Sequence, residues 1–282
     1  FGGSVRWVEE TGTMVMSKLG FQLNKPWQFM RIHAFHHRYQ TRLATSTKSF
    51  NARGSRVKRC QYCQVAVDYC VCQYQPIVDS KVAVMLLLSA NEMFKPSNTG
   101  RLILDTIQQG FAYQWSRTEP NREMLELLSN SKYQPILVFP KQYVEDDSRV
   151  IERPEPIQCS NKVPLLIFID GSWREARKIF NKSEYLSKLP VLSVEPTRLS
   201  QYMMRHSENE QHLATAEVAS IVLDQLGENH ASRVLSSWFD VFRESYMLSK
   251  SRFYSDFSRP TLRQYLVDHN DYLDFQHDID LS

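Results

Sequence analysis

The chain has 282 residues, 42% of them apolar, and a formal net charge of +3. That length and apolar content suffice for a full core, as one large α/β domain or as one domain with appendages. No apolar run reaches the ~20 residues of a membrane helix and no signal-peptide pattern opens the sequence. A helical membrane span is therefore excluded, and a cytoplasmic protein is expected.

The modest net charge conceals a segregation. Between Thr11 and Val67 there is no acidic residue, yet Lys18, Lys25, Arg31, Arg38, Arg42, Lys48, Arg53, Arg56, Lys58 and Arg59 fall there, so the remainder sums to −7. A basic arm on an acidic body suits a phosphate backbone, and Trp27, Phe29, Phe35, Tyr39 and Phe50 offer rings for unpaired bases. A solvated leader that binds nothing is the alternative. Within this arm Trp27–Arg42 could form one helix.

Four cysteines follow within thirteen residues: Cys60, Cys63, Cys70 and Cys72. In a reducing compartment such a quartet reads as a tetrahedral zinc site rather than two disulfides. Four thiolates leave the ion no open position, so its role would be structural. Cys159 stands apart as a small, at least half-buried thiol.

Lys81–Ser89 is the first strong strand. It leads through Pro96-Ser97-Asn98-Thr99-Gly100 into an expected helix at Arg101–Gln109. The loop-to-helix junction at Asn98-Thr99-Gly100 would present backbone N–H groups to a polar or anionic ligand; a simple helix cap is the plainer reading. Ala112–Ser116 reads as a strand, Asn121–Leu128 as a helix, Pro135–Pro140 as a buried strand and Lys141–Lys162 as a surface loop.

Val163–Ile169 is an almost unbroken apolar run, the mark of a strand covered on both faces. It ends at Asp170, turns at Gly171, and Ser172 can cap the helix beginning at Trp173. Asp170 thus stands at the carboxyl end of a central strand, where open α/β sheets hold ligands. A carboxylate there is either a capping group or a catalytic one. Trp173 could lay its face on a cationic or aromatic ligand or anchor the helix in the core. A strand at Pro190–Glu195 follows, then a long helix opened by Leu213-Ala-Thr215-Ala-Glu217, and helices at 233–248 and 260–267. Strands alternate with helices, so the class is α/β with a mostly parallel sheet flanked by helices. No GxGxxG or GxxxxGK[ST] occurs, which removes dinucleotide and Walker-type phosphate loops.

Taken together, Cys60/Cys63/Cys70/Cys72, Pro96–Gly100, Asp170-Gly171-Ser172-Trp173, Tyr202-Met-Met-Arg205 and Leu213–Glu217 resemble the DTW-domain family of tRNA-uridine aminocarboxypropyltransferases, of the bacterial type. Five motifs recur in order from about Arg59 to about Leu226. Ala66 stands where the family's knuckle has a proline, and Val218 where it has an alanine after the glutamate. The resemblance implies a SPOUT-like fold with a C-terminal trefoil knot, and S-adenosylmethionine as co-substrate. It also implies transfer of the 3-amino-3-carboxypropyl group to uridine N3 (acp3U) with release of methylthioadenosine.

The chain then divides into a basic extension at 1–58, a four-cysteine zinc knuckle at 59–76, a catalytic domain at 77–230 and a C-terminal helical extension at 231–282. Asp170, whose pKa burial would raise, is the expected base, or else it acts electrostatically; Ser172 and Trp173 complete the expected catalytic set. Asn98, Thr99, Gly100, Asp170, Leu192, Leu213, Thr215 and Glu217 are expected to contact the cofactor, Glu217 alternatively serving only as a cap. Arg53, Arg56, Arg59, Arg198 and Arg205 are expected on tRNA, with the donor carboxylate or plain surface pairing as the alternatives for Arg198 and Arg205. The sequence leaves the oligomeric state open, a monomer being compatible with it. Methyl transfer from the same donor and a non-catalytic zinc-dependent RNA-binding module remain as other readings.

Overall fold

The computed structural model describes residues 30–46, 57–151, 161–194, 213–250 and 257–269. Six parallel strands form one sheet: β1 (Ala83–Leu88), β2 (Gly110–Gln114), β3 (Tyr133–Val138), β4 (Val150–Ile151), β5 (Val163–Asp170) and β6 (Val191–Leu192). Their lateral order is β2-β1-β5-β3-β6-β4. The helices are α1 (Ala34–Ala44), α2 (Gly100–Thr106), α3 (Arg122–Ser129), α4 (Trp173–Lys182), α5 (Thr215–Gln225), α6 (Asn229–Leu248) and α7 (Pro260–Asp268).

The unbroken apolar strands are explained by a core on each face. Val84, Leu86 and Leu88 of β1 and Leu166 and Phe168 of β5 pack with α2, α5 and α6. Ala83, Met85, Leu87, Leu165 and Ile167, one residue out of phase, pack with α3 and α4. Successive side chains point to opposite faces, so a strand covered on both has no position for a polar residue. Each of these buried Leu, Ile or Phe side chains contributes roughly 1.5–3 kcal/mol.

The topology locates the ligand edge. β1 leads through α2 to β2 on one side, while β5 leads through α4 toward β6 on the other, with the two helices on opposite faces. Between β1 and β5 the connections diverge, and such a switch point opens a crevice at the carboxyl ends. Leu88 and Asp170 are the paired last residues of those strands.

Several elements differ from expectation. α1 begins at Ala34 rather than near Trp27, residues before 30 lying outside the described set. α2 stops at Thr106 because Ile107 turns extended and bridges to Val78. The loop at 141–162 contains β4, an edge strand of two residues and too short for any periodicity to announce. The strand expected at Pro190–Glu195 is confined to Val191–Leu192. Residues 195–212, between β6 and α5, lie outside the described set.

Candidate active site and metal centre

Asp170 is 3% exposed. Its Oδ2 accepts from Asn98 Nδ2 at 2.6 Å and its Oδ1 from the Thr215 hydroxyl at 2.8 Å. Two donors from separate elements converge on the carboxylate, as a charge removed from water requires. The expected meeting of strand end, Asn-Thr-Gly turn and α5 start is therefore present. Gly100 is indispensable here, since a Cβ on it would collide with Asp170 Oδ2.

Asn98 fills the plainer of its two anticipated roles, the cap, and adds a contact to Asp170 that the sequence did not announce. Its Oδ1 accepts from Arg101 N at 3.2 Å while its Nδ2 holds Asp170. The turn itself is buried, with Asn98 at 0% and Thr99 at 4% exposure. Its backbone is thus not laid open to solvent as the sequence had suggested, because α2 is sunk entirely into the core. Leu192 is also buried, whereas Leu213, Thr215 and Glu217 are half-buried. Glu217 caps α5, its carboxylate accepting from Ala214 N at 2.7 Å.

Ser172 closes a capping box. Its hydroxyl accepts from Glu175 N at 3.4 Å, and Glu175 Oε2 accepts from Ser172 N at 2.9 Å. Burial works against the charge on Glu175, but the hydrogen bonds from Ser172 outweigh it and hold the carboxyl below its usual range. Trp173, half-buried, stacks on Phe139 at 5.6 Å and meets Tyr143 edge-on at 5.1 Å. Its packing role is thereby evident.

Glu92 escaped the sequence reading. It is 2% exposed, lies in the loop after β1 and pairs with Lys95 at 2.5 Å. A glutamate in a polar-looking loop carries no periodic signal that would mark it as buried.

The four knuckle cysteines are free thiols whose sulfurs all lie within 4.8 Å of one another. Cys60 and Cys72 are 3.6 Å apart, and Cys63 and Cys70 3.8 Å. Four sulfurs about 2.3 Å from one tetrahedral ion would be separated by about 3.8 Å, so this set could hold zinc. Hydrogen bonds among the sulfurs push Cys60 and Cys72 up and pull Cys63 and Cys70 down. A cation would replace those shared protons with four thiolate bonds.

Arg101 is the second residue the sequence did not reveal. It is 1% exposed, donates through Nη2 to Pro96 O at 2.6 Å and lies 5.0 Å above the Phe242 ring. Burial lowers its pKa, and the charges of Cys63 and Asp105 oppose that. A four-thiolate zinc centre carries net charge −2, and Arg101 is placed to offset part of it.

A second cluster, His33, His36 and Asp105, is also tight enough for an ion. Asp105, however, already accepts from His33 Nε2 at 2.9 Å, Gln75 Nε2 at 2.7 Å and Trp238 Nε1 at 3.0 Å. Three donors satisfy it without metal. It is a hydrogen-bonded node tying together α2, α6, the exit from the knuckle and the approach to α1.

Of the expected tRNA contacts, Arg53, Arg56, Arg198 and Arg205 lie outside the described residues, as does Cys159. Arg59 is half-buried, donates to Gln64 O at 3.0 Å and faces Tyr246. Two further cations of the basic arm are engaged internally. Arg31 Nη2 donates to Leu104 O and Asp105 O, each at 2.7 Å, and Arg38 Nε to Ala112 O at 3.1 Å.

A family model described as the DTW domain matches residues 57–247, from just before Cys60 to the last turn of α6. The chain belongs to the DTW-domain family. No solved structure matches it. Membership is consistent with a tRNA-modifying function and with tRNA as substrate. Within this DTW domain, the Asn-Thr-Gly turn, the Asp-Gly-Ser-Trp segment and the start of α5 meet at one carboxylate. No helix among the described residues is long and apolar enough to cross a membrane.

Proposed function

We propose that this DTW domain is a tRNA-uridine aminocarboxypropyltransferase of SPOUT-like, knotted architecture that draws on S-adenosylmethionine. The observation that carries the reading is Asp170, buried at the switch point between β1 and β5 and gripped by Asn98 and Thr215. S-adenosylmethionine would supply the 3-amino-3-carboxypropyl group: uracil N3 bonds to its γ-carbon, the C–S bond breaks, and the electron pair leaves on sulfur as neutral methylthioadenosine. All three carbons on a sulfonium are electrophilic, so positioning selects the one that reacts.

In this reading Asp170 takes the N3 proton, and losing such a base costs ~10²–10⁴ in rate. Asn98, Thr99, Gly100, Leu192, Leu213 and Thr215 shape the donor's side of the crevice. Ser172 and Glu217 fix the starts of α4 and α5, and Trp173 borders the site through its half-buried ring. Zinc, held by the four cysteines, supplies structure alone.

Incubation with tRNA and S-adenosylmethionine tests the proposal. Methylthioadenosine and acp3U by nucleoside mass spectrometry are the expected products. S-adenosylhomocysteine instead would mean methyl transfer, and neither product, with RNA binding intact, would leave a zinc-dependent RNA-binding module.

A further inference from the structure

Helix α4 opens directly after Asp170-Gly171-Ser172 and exposes Arg174, Arg177, Lys178 and Lys182. Their spacing of three, four and eight residues from Arg174 puts them on one face, opposite the buried Ala176 and Ile179. A cationic helix face serving only solubility is normally laced with acids at i+4, as α3 is through Arg122–Glu126 at 2.8 Å. On α4 the one acid, Glu175, is turned back onto Ser172. Among the described residues no acidic side chain pairs with any of the four cations.

Their described partners are ring faces. Arg177 lies 5.9 Å from the centres of both Trp173 and Tyr143, and Lys178 lies 5.6 Å from that of Trp115. Trp115, Tyr143 and Trp173 each follow the carboxyl end of a strand, β2, β3 and β5 respectively, and all are half-buried. Both ends of α4 are tied to that rim: Ser172 follows β5, and Ser183 accepts from Trp115 Nε1 at 2.9 Å. The helix therefore lies along the edge where Asp170 sits. Uncompensated cations interleaved with aromatic faces form the combination that tracks a phosphate backbone and stacks unpaired bases.

We propose that the outer face of α4 is the surface on which substrate RNA docks, its phosphates on Arg174, Arg177, Lys178 and Lys182 beside the rings of Trp115 and Tyr143. This rests on the RNA-modifying reading above and assigns the substrate its track. The test replaces all four cations by alanine, a good helix former on an exposed face, in the full chain. A matched control removes Lys81, Arg122, Lys132 and Arg233, four exposed cations away from α4. Binding of bulk tRNA is followed between roughly 50 and 200 mM salt.

The α4 variant should bind at least tenfold more weakly, with the slope of log K against log salt shallower by about two to three, while the control changes neither as much. Equal affinity and slope in the α4 variant, or an equal loss in the control, overturns the proposal, as does a wild-type chain that binds no RNA. Wild-type protein that binds tRNA through α4 but yields no acp3U removes the transfer reading and leaves the surface. A variant that binds and modifies tRNA as wild type does removes the surface and leaves the transfer.

Discussion

Two buried carboxylates organise this molecule, and they are built differently. Asp105, at the end of α2, accepts from three side chains, His33, Gln75 and Trp238, drawn from parts of the chain up to 133 residues away. Asp170, at the end of β5, accepts from Asn98 and Thr215, both at the loops that rim the sheet. The first lies among the knuckle, the approach to α1 and α6; the second lies where the strand connections diverge. Burial alone therefore does not mark a functional acid. Place relative to the topology is what singles out Asp170 in the proposed reading.

The contrast is most severely tested by metal loss. Replacing Cys63 with Ser should abolish stoichiometric zinc and strongly depress the thermal midpoint, because Gln75 is anchored just past the knuckle. Metal analysis with a melting curve checks it, and an unchanged midpoint would dissociate the cysteines from the Asp105 node.

The next test separates the two acids. Asp170→Asn should cut transfer by about 10²–10⁴-fold with little change in melting. Asp105→Ala, which strands three buried donors, should cost about 3–5 kcal/mol of stability while the surviving folded enzyme keeps its turnover. Urea titration beside initial rates reads both, and swapped phenotypes would break the comparison.

Gly100→Ala sharpens it further. The new methyl collides with Asp170 and with nothing at Asp105, so it should cost about 1–3 kcal/mol and lower activity out of proportion. A near-normal rate would show that the carboxylate can shift freely.

The smallest expected effect is on pH dependence. Burial, then the neighbouring His33 charge, lowers His36 to about 3. The unfolded chain takes up that proton near pH 6.5, so folding stability is lost as pH falls from there toward 3. For Asp105 burial acts upward, but the hydrogen bond from His33 and the nearby imidazoles prevail and bring it to about 2. Its contribution is present above about 3.8 and is lost as pH falls through about 2. His36→Gln should flatten the decline between about pH 7 and 5 in zinc-saturated urea titrations, and an identical slope would remove His36 as its source.

Much of this was legible in the sequence where local rules operate. The apolar runs of β1 and β5, the Ser172 cap, the cysteine spacing and the position of Asp170 at the end of its strand all follow from short-range chemistry. The convergence of Asn98 and Thr215 on Asp170 was anticipated only as a shared rim, since hydrogen bonds spanning 72 and 45 residues leave no periodic trace. Arg101 and Glu92 were missed because charged residues are read as surface unless something buried is there to receive them. The basic arm was legible as charge alone, and the burial of Arg31's charge against the end of α2 was not.

The sequence by itself determined the buried strands β1 and β5, the Ser172 cap, the cysteine quartet and the family, because each rests on motifs whose residues lie close together in the chain. Only the tertiary structure decided that three distant donors hold Asp105 as a node, that Asp170 sits where the strand connections diverge, and that among the described residues Arg177 and Lys178 of α4 meet ring faces rather than acids. Those outcomes depend on what distant segments bring to the same few ångströms, and on the direction in which each strand's connection departs.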